Sequence, residues 1–249
     1  MDCLIGYTGF VGSNLLDQLN KDNIELFNKS NIKNIHGKHY DKIYCCGVPG
    51  VKYIANKNTN EDFKNILELG RDLADVSCNE FFLVSSQDCN SNLSSDELFT
   101  GFPPTAYGKN RLWFENCIRD LFSNVRIIRI GSLFGKNLRK NVIYDLLNNN
   151  YIEGITADYT MQLYNLDRLL SDFEFMSKFD IRLMNRFSEP VLLSEVIDIF
   201  NRNGYKYKIS VPYREDKSYK NKGSLLPRDI LLQELEDFIK RYLAHENRC

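Results

Sequence analysis

Cys3-Leu4-Ile5-Gly6-Tyr7-Thr8-Gly9-Phe10-Val11-Gly12-Ser13-Asn14-Leu15-Leu16 is the stretch whose reading decides the fold. Asp2–Ile5 reads as a short buried strand, three glycines follow at intervals of three, and helical periodicity runs over Val11–Leu19. Strand, glycine turn and helix in that order is the setting in which glycines serve a phosphate. Gly6 allows the tight turn, Gly9 lets backbone approach a pyrophosphate with no Cβ between them, and Gly12 lets the helix pack on the strand. The helix start near Phe10 supplies free N–H groups and the positive end of the helix dipole. The expectation is a dinucleotide cradle of Gly6, Gly9, Phe10, Val11 and Gly12, with a purely structural turn as the rival reading.

Outward from that turn, the first two-thirds of the chain alternates strands with helices. Strands are predicted at Ile24–Phe27, Lys42–Cys46, Phe81–Ser85 and Val125–Ile130, and helices at Asp62–Ala74, Ala106–Phe122 and Val142–Leu147. This alternation predicts an α/β protein, a Rossmann-type doubly wound parallel sheet with helices on both faces. Later come helices at Asp167–Phe175 and Ser194–Asn203, with Ser194 as N-cap and Gly204 as the stop. A strand at Lys206–Val211, a polar loop at Tyr213–Gly223 and a last helix at Arg228–Ala244 complete the chain. The expected division is a dinucleotide-binding domain over 1–150 and a small α+β substrate lobe over 151–249, the latter too poor in apolar residues for a core of its own.

The 249 residues carry 32 Lys+Arg against 33 Asp+Glu, a net charge of −1, so no global field draws the chain to nucleic acid or an anionic membrane. With 43% hydrophobic and 26% charged residues it can bury a core, which excludes a wholly disordered chain. Its apolar runs fall far short of the roughly 20 residues a membrane span needs. An acid at Asp2 stands where a signal peptide has basic residues. Seven scattered cysteines, an odd number, read as reduced thiols rather than a disulfide frame, and point to the cytoplasm. Three histidines (His36, His39, His245) are too few and too scattered for a metal cluster.

Two further segments carry chemistry. Thr105-Ala-Tyr107-Gly-Lys109-Asn-Arg111 opens a helix with Tyr107 and Arg111 four apart on one face. Glu80-Phe-Phe-Leu-Val-Ser85-Ser86-Gln87-Asp88 is a buried strand running into hydroxyls and a carboxylate. In a parallel sheet the crevice beyond the strand ends is where ligands gather. The second strand ends in Asn28-Lys29-Ser30, without the acid that usually takes the ribose hydroxyls of NAD. Lys29 and Ser30 could receive a 2′-phosphate, which tilts the choice between NAD and NADP towards NADP; Lys29 as a solvated loop residue is the other reading.

The Gly6–Gly12 turn, the Ser85-Ser86 strand end and the Tyr107-to-Arg111 helix, in that order, resemble the extended short-chain dehydrogenases/reductases that act on nucleotide sugars. Ile43-Tyr-Cys-Cys46-Gly47-Val-Pro-Gly-Val-Lys52 looks like that family's fourth strand and its cofactor-flanking turn, which brings in Cys46 and Gly47. Asn65 falls in the next helix, where the family commonly has Asn, and Arg126–Gly135 resembles the sixth strand and the loop that meets the sugar. The resemblance covers residues 1–135 and is thin beyond them. It implies an NAD(P)-dependent epimerase, dehydratase or ketoreductase for a nucleotide-linked sugar, in surface polysaccharide synthesis, with a homodimer formed through the Tyr-bearing helix.

It further implies Tyr107 as acid/base and Ser86 as the hydroxyl on the same substrate oxygen, a one-residue shift exchanging Ser86 with Ser85. Asp88 stands where related enzymes place a proton-transfer group beside the sugar; a turn-forming Asp is the alternative. Arg111 occupies the family's lysine position, as a cofactor clamp and a charge near the phenol. Arg and Lys are not interchangeable at such a site. A dinucleotide-binding sensor or scaffold that kept the fold and lost the chemistry is therefore the competing function.

Overall fold

The computed structural model describes residues 1–90, 103–150, 160–207 and 226–246. They form two compact units. Within the described residues the first comprises 1–90, 103–130 and 167–185, and the second 131–150, 160–166, 186–207 and 226–246. The boundary expected at residue 150 does not coincide with this division, because the chain leaves the first unit after Ile130 and returns to it at Asp167.

Six strands make the sheet of the first unit: β1 (Asp2–Ile5), β2 (Ile24–Phe27), β3 (His39–Cys45), β4 (Ser77–Ser86), β5 (Val125–Ile130) and β9 (Leu183–Arg186), in the order β2-β1-β3-β4-β5-β9. The first five pair in parallel, with Leu4 opposite both Leu26 and Tyr44, Tyr44 opposite Phe82, and Leu83 opposite Ile127. Alternation along the strands then sorts side chains to two covered faces. Ile5, Phe27, Ile43, Phe81 and Ile127 meet Ile66 of α3 (Thr59–Asp72) and Phe114 and Ile118 of α4 (Ala106–Leu121). On the opposite face Tyr44 stacks on Phe82 at 5.1 Å, and Phe82 meets Phe173 of α6 (Leu169–Lys178) at 4.8 Å between ring centroids. The doubly wound parallel architecture is the one the sequence predicts.

Differences in detail have local causes. β3 and β4 begin earlier than predicted because their polar first halves pair with each other, His39 opposite Ser77 and Tyr40 opposite Cys78. A short helix, α2 (Lys52–Lys57), precedes α3, and α1 spans Phe10–Leu16. After β2 the chain makes a 3₁₀ turn at Ile32–Ile35 and goes directly into β3. The sheet thus ends at β2, one strand short of the six-strand 3-2-1-4-5-6 order on that side. The segment resembling a fourth strand is third in this chain and lies beside β1. At this edge Asn31 Nδ2 donates to the Leu26 carbonyl at 2.9 Å, covering a group the missing strand would have bonded.

The second unit holds α5 (Val142–Asn148), α7 (Leu193–Arg202) and α8 (Arg228–Glu246). Two small ladders accompany them, β6 (Ser132–Phe134) parallel to β8 (Leu163–Asn165), and β7 (Thr160–Met161) antiparallel to β10 (Val191–Leu192). Its apolar content is greater than the sequence reading allowed: Phe134, Leu146, Leu163, Phe200 and Leu235 are fully buried, and Phe134 meets Phe238 at 5.7 Å. Ser194 is not the N-cap of α7. The helix starts one residue earlier, where the Glu195 carboxylate accepts from the Leu192 N–H at 2.9 Å. Gly204, at φ +100°, does end it. Lys206 and Tyr207 are not in a strand; the rest of Lys206–Val211 and all of Tyr213–Gly223 lie outside the described residues.

Candidate functional site

The glycine turn is built by close backbone approach. Gly6 has φ +85°, and its N–H donates to the Phe27 carbonyl at 2.7 Å, tying the turn to the end of β2. A Cβ at Gly6 would lie 2.6 Å from the Cys46 carbonyl oxygen, and one at Gly12 2.1 Å from that of Gly6. Neither position tolerates a side chain without moving backbone. Gly9 differs: its φ of −79° suits any residue, and a Cβ would sit 3.3 Å from the Gly6 carbonyl oxygen. Gly9 therefore has less need of being glycine for the fold than its neighbours. Phe10 and Val11 follow in the first turn of α1, which carries no acidic side chain and whose leading N–H groups lack intrahelical partners.

Cys46 and Gly47 complete this wall. The Cys46 N–H donates to the Ile5 carbonyl at 2.9 Å, and a Cβ at Gly47 would meet the Ile5 side chain at 2.9 Å. Burial pushes the Cys46 thiol well above its usual value, so Cys46 contributes here through its backbone rather than as a thiolate. At the end of β2, Asn28 organises the turn: its side-chain oxygen accepts from the Ser30 N–H at 2.8 Å, and its amide nitrogen donates to the Tyr7 hydroxyl at 3.2 Å. Lys29 is exposed beside it.

The second cluster lies where β4 ends, two strands from β1. Ser86 Oγ accepts from the Asp88 N–H at 3.2 Å and donates to Asp88 Oδ2 at 3.1 Å, closing a one-turn 3₁₀ segment at Gln87–Cys89. Tyr107, in the first turn of α4, is buried, and Ser86 is near enough to favour its ionised form. Gly108 makes that approach feasible, since a Cβ there would stand 2.1 Å from the Asp88 carbonyl oxygen. The requirement was not read from the sequence; a glycine inside a helix start, at a cost in helix propensity, was its signal. Thr105 caps the helix by accepting from the Gly108 N–H at 3.1 Å, and Asn56 Oδ1 of α2 accepts from the Tyr107 N–H at 2.9 Å. Of the two serines, the structure brings Ser86 to Tyr107. Ser85 Oγ donates instead to the buried Glu115 at 2.6 Å, and Glu115 is bound by Arg129 at 2.9 and 2.6 Å.

Arg111 is placed differently from the sequence expectation of a cofactor clamp. Its guanidinium is buried and grips Asp62 of α3 in a bidentate pair, at 2.7 and 2.9 Å, while also donating to the Pro49 carbonyl. Asn110 Nδ2 donates to the same Asp62 carboxylate at 2.8 Å. The guanidinium carbon lies 4.1 Å from the centre of the Tyr107 ring, so Arg111 supports the phenol from its face. Burial raises the phenol above its ordinary value; Arg111 and the nearby Ser86 pull it back, and Asp88 adds to the rise. The helix residue facing this cluster is Asp62 rather than Asn65, whose side chain donates to the Glu61 carbonyl. Asp88 forms an ion pair with Lys52 of α2 at 2.5 Å. Neither Asp62 nor Lys52 was singled out from the sequence, because their partners lie 49 and 36 residues away.

No protein-family profile matches the sequence, and no curated protein matches it. Comparison with solved structures does find similar folds. A dTDP-4-dehydrorhamnose reductase from Clostridium acetobutylicum aligns over 99% of this chain and 100% of its own, with TM-score 0.69 and 15% identity. A dTDP-4-dehydrorhamnose reductase from Bacillus anthracis, solved with NADP, aligns over 98% and 97%, with TM-score 0.69 and 13% identity. A UDP-glucuronic acid 4-epimerase from Bacillus cereus, solved with UDP-glucuronic acid and NAD, aligns over 97% and 100%, with TM-score 0.69 and 15% identity. The chain thus has the Rossmann-type fold of these nucleotide-sugar reductases and epimerases. Among the described residues no helix is long and apolar enough to cross a membrane.

Proposed function

We propose that the protein is an NAD(P)-dependent reductase or epimerase acting on a nucleotide-linked sugar, of the extended short-chain dehydrogenase/reductase type. The observation that carries this reading is a juxtaposition within one unit. A glycine cradle that side chains would fill closes the end of β1, and Ser86 with the buried Tyr107 stands at the end of β4 in the same parallel sheet. The fold shared with reductases and epimerases crystallised with NADP, NAD and a UDP-sugar supports it.

The residues fit a dinucleotide at its pyrophosphate end. Gly6, Gly9 and Gly12 with the first N–H groups of α1 at Phe10 and Val11 would hold the phosphates, and Cys46 and Gly47 would flank them with backbone. A nicotinamide bound there supplies hydride exchange at a sugar carbon. Tyr107 removes or returns the proton of the sugar hydroxyl, and Ser86 orients that oxygen. Asp88 is bound by both Lys52 and Ser86, which supports alcohol–ketone chemistry over the dehydratase alternative, where Asp88 would move a proton at the neighbouring carbon. With no carboxylate at the end of β2 and Lys29 exposed beside Asn28, the adenosine side favours NADP. Surface polysaccharide synthesis in the cytoplasm, and a homodimer, extend the proposal by resemblance.

The test is turnover. Purified protein is mixed with reduced or oxidised NADP and NAD and a panel of UDP- and dTDP-linked hexoses and 4-keto-hexoses, with nicotinamide absorbance followed and products separated by chromatography. Sugar-dependent cofactor oxidation, or epimerised product without net oxidation, is expected; neither with any of the panel would contradict the reading. The bidentate Arg111–Asp62 pair favours the second reading, a dinucleotide-binding sensor or scaffold without turnover, because it occupies the cation that stands in the family's lysine position.

A further inference from the structure

With Arg111 bound to Asp62, the cation among the described residues that reaches the turn after β4 from outside α4 is Lys52. It is half exposed, at 52% of its side-chain surface, while its partner Asp88 retains 18%. Lys52 and Asn56 stand four apart on α2, one turn of helix, so they share a face. Both reach the same place: Lys52 Nζ donates to Asp88 Oδ1 at 2.5 Å, and Asn56 Oδ1 accepts from the Tyr107 N–H at 2.9 Å. Asp88 in turn accepts from Ser86 Oγ through its other oxygen at 3.1 Å, and its turn packs on Gly108, the residue after Tyr107, where a Cβ would stand 2.1 Å from the Asp88 carbonyl oxygen.

We propose that Lys52 is a positioning residue for Tyr107: by fixing the Asp88 carboxylate it fixes Ser86, and it offsets the negative charge that Asp88 places beside the phenol. The proposal rests on the reading of Tyr107 as the acid/base of the site. Among the described residues, the charged and titratable groups facing Tyr107 are Arg111 from its own helix, Asp88 and Cys89 from the turn after β4, and Lys52 from α2 acting through Asp88. Arg111 has its charge matched by Asp62 next to it. Asp88 is matched by Lys52, so removing the lysine leaves a carboxylate unbalanced near a buried phenol and disfavours the phenolate. Two cations thus bear on the phenol, Arg111 at the face of its ring and Lys52 through Asp88.

The experiment follows the ionisation of Tyr107 by fluorine NMR in protein labelled with fluorotyrosine, without cofactor or substrate, the Tyr107 resonance being identified by its loss in Tyr107→Phe. Lys52→Gln is expected to lower the acid dissociation constant of the phenol roughly three- to tenfold. Lys52→Arg should recover at least half of that change. In an Asp88→Asn background the Lys52→Gln effect should shrink by more than half, since the lysine acts through Asp88. No change with Lys52→Gln, an equal change with Lys52→Arg, or an undiminished change in the Asp88→Asn background would overturn the proposal. The readout needs no bound nicotinamide and no turnover, so a protein that fails to bind cofactor counts against the enzymatic reading and leaves this result to be judged separately.

Discussion

Replacing Arg111 by methionine is expected to destabilise the protein by about 3–5 kcal/mol, the cost of stranding a buried carboxylate. Arg111 and Asp62 retain 4% and 5% of their side-chain surface, so water does not replace the lost partner. The loss has two parts. Among the described residues the Asp62 carboxylate keeps only its bond from Asn110, and the Pro49 carbonyl loses the Arg111 donor. Removing both charges is expected to cost far less: Arg111→Met with Asp62→Leu should recover most of the stability, because an apolar pair can fill a site that an unpaired ion cannot. Urea unfolding of the single and double variants measures this directly. A single-variant loss under about 1 kcal/mol would mean the pair is solvated in solution and Arg111 is free for a ligand. The same substitution removes a positive charge 4.1 Å from the Tyr107 ring, so it should also make the phenol less acidic.

Tyr107→Phe carries the largest expected effect on activity. Under the enzymatic reading, turnover should fall by about 100- to 10,000-fold, the range associated with losing a positioned acid/base, while cofactor affinity stays the same. The variant keeps the ring over Arg111 and loses only the hydroxyl, so folding should be little changed. If the protein is a sensor or scaffold, nothing measurable should move. The pH dependence has a definite sign. The fold raises the phenol above its ordinary value, so in the oxidative direction, where phenolate is the base, the rate should climb through the alkaline range. In the reductive direction, where the phenol donates, the rate should hold at neutral pH and fall as pH rises. The phenol's stabilising contribution runs the same way: the neutral form is favoured by folding, and that contribution is lost as pH rises through the folded-state value.

Much of the scaffold was legible because it depends on local pattern. β1, β2 and β5 have the bounds predicted for them, and α4 starts where predicted, since Thr105 is a capping residue and the apolar spacing after it is helical. The positive φ of Gly6 and the clash a Cβ at Gly12 would make with the Gly6 carbonyl are local as well, which is why a strand–glycine–helix reading was enough to place the turn. What the sequence hid was pairing between distant positions. Arg111 looked like an available cation until Asp62 was seen beside it, and Asp88 looked like a lone carboxylate until Lys52 closed on it. β9 and the ladders of the second unit are short strands of two to four residues, below the length at which alternation is readable. No strand is predicted between Ile24–Phe27 and Lys42–Cys46, and none forms there: Ile32–Ile35, half polar, is a 3₁₀ turn.

The central claim, a nicotinamide dinucleotide held by the turn after β1, is tested most directly at Gly9. A Cβ at Gly6 or Gly12 would overlap backbone at 2.6 and 2.1 Å, whereas at Gly9 the Gly6 carbonyl oxygen, 3.3 Å away, need give by only a few tenths of an ångström, so Gly9→Val tests binding at the smaller cost to the fold. Calorimetric titration of the wild-type protein and Gly9→Val with NADPH and NADH, alongside thermal unfolding of both, is the measurement. Saturable wild-type binding is expected, weakened at least about tenfold in Gly9→Val (some 1.4 kcal/mol), with a cooperative unfolding transition retained at a modestly lower temperature. A wild-type protein that binds neither nucleotide, or a Gly9→Val variant that binds as tightly as wild type, would contradict it.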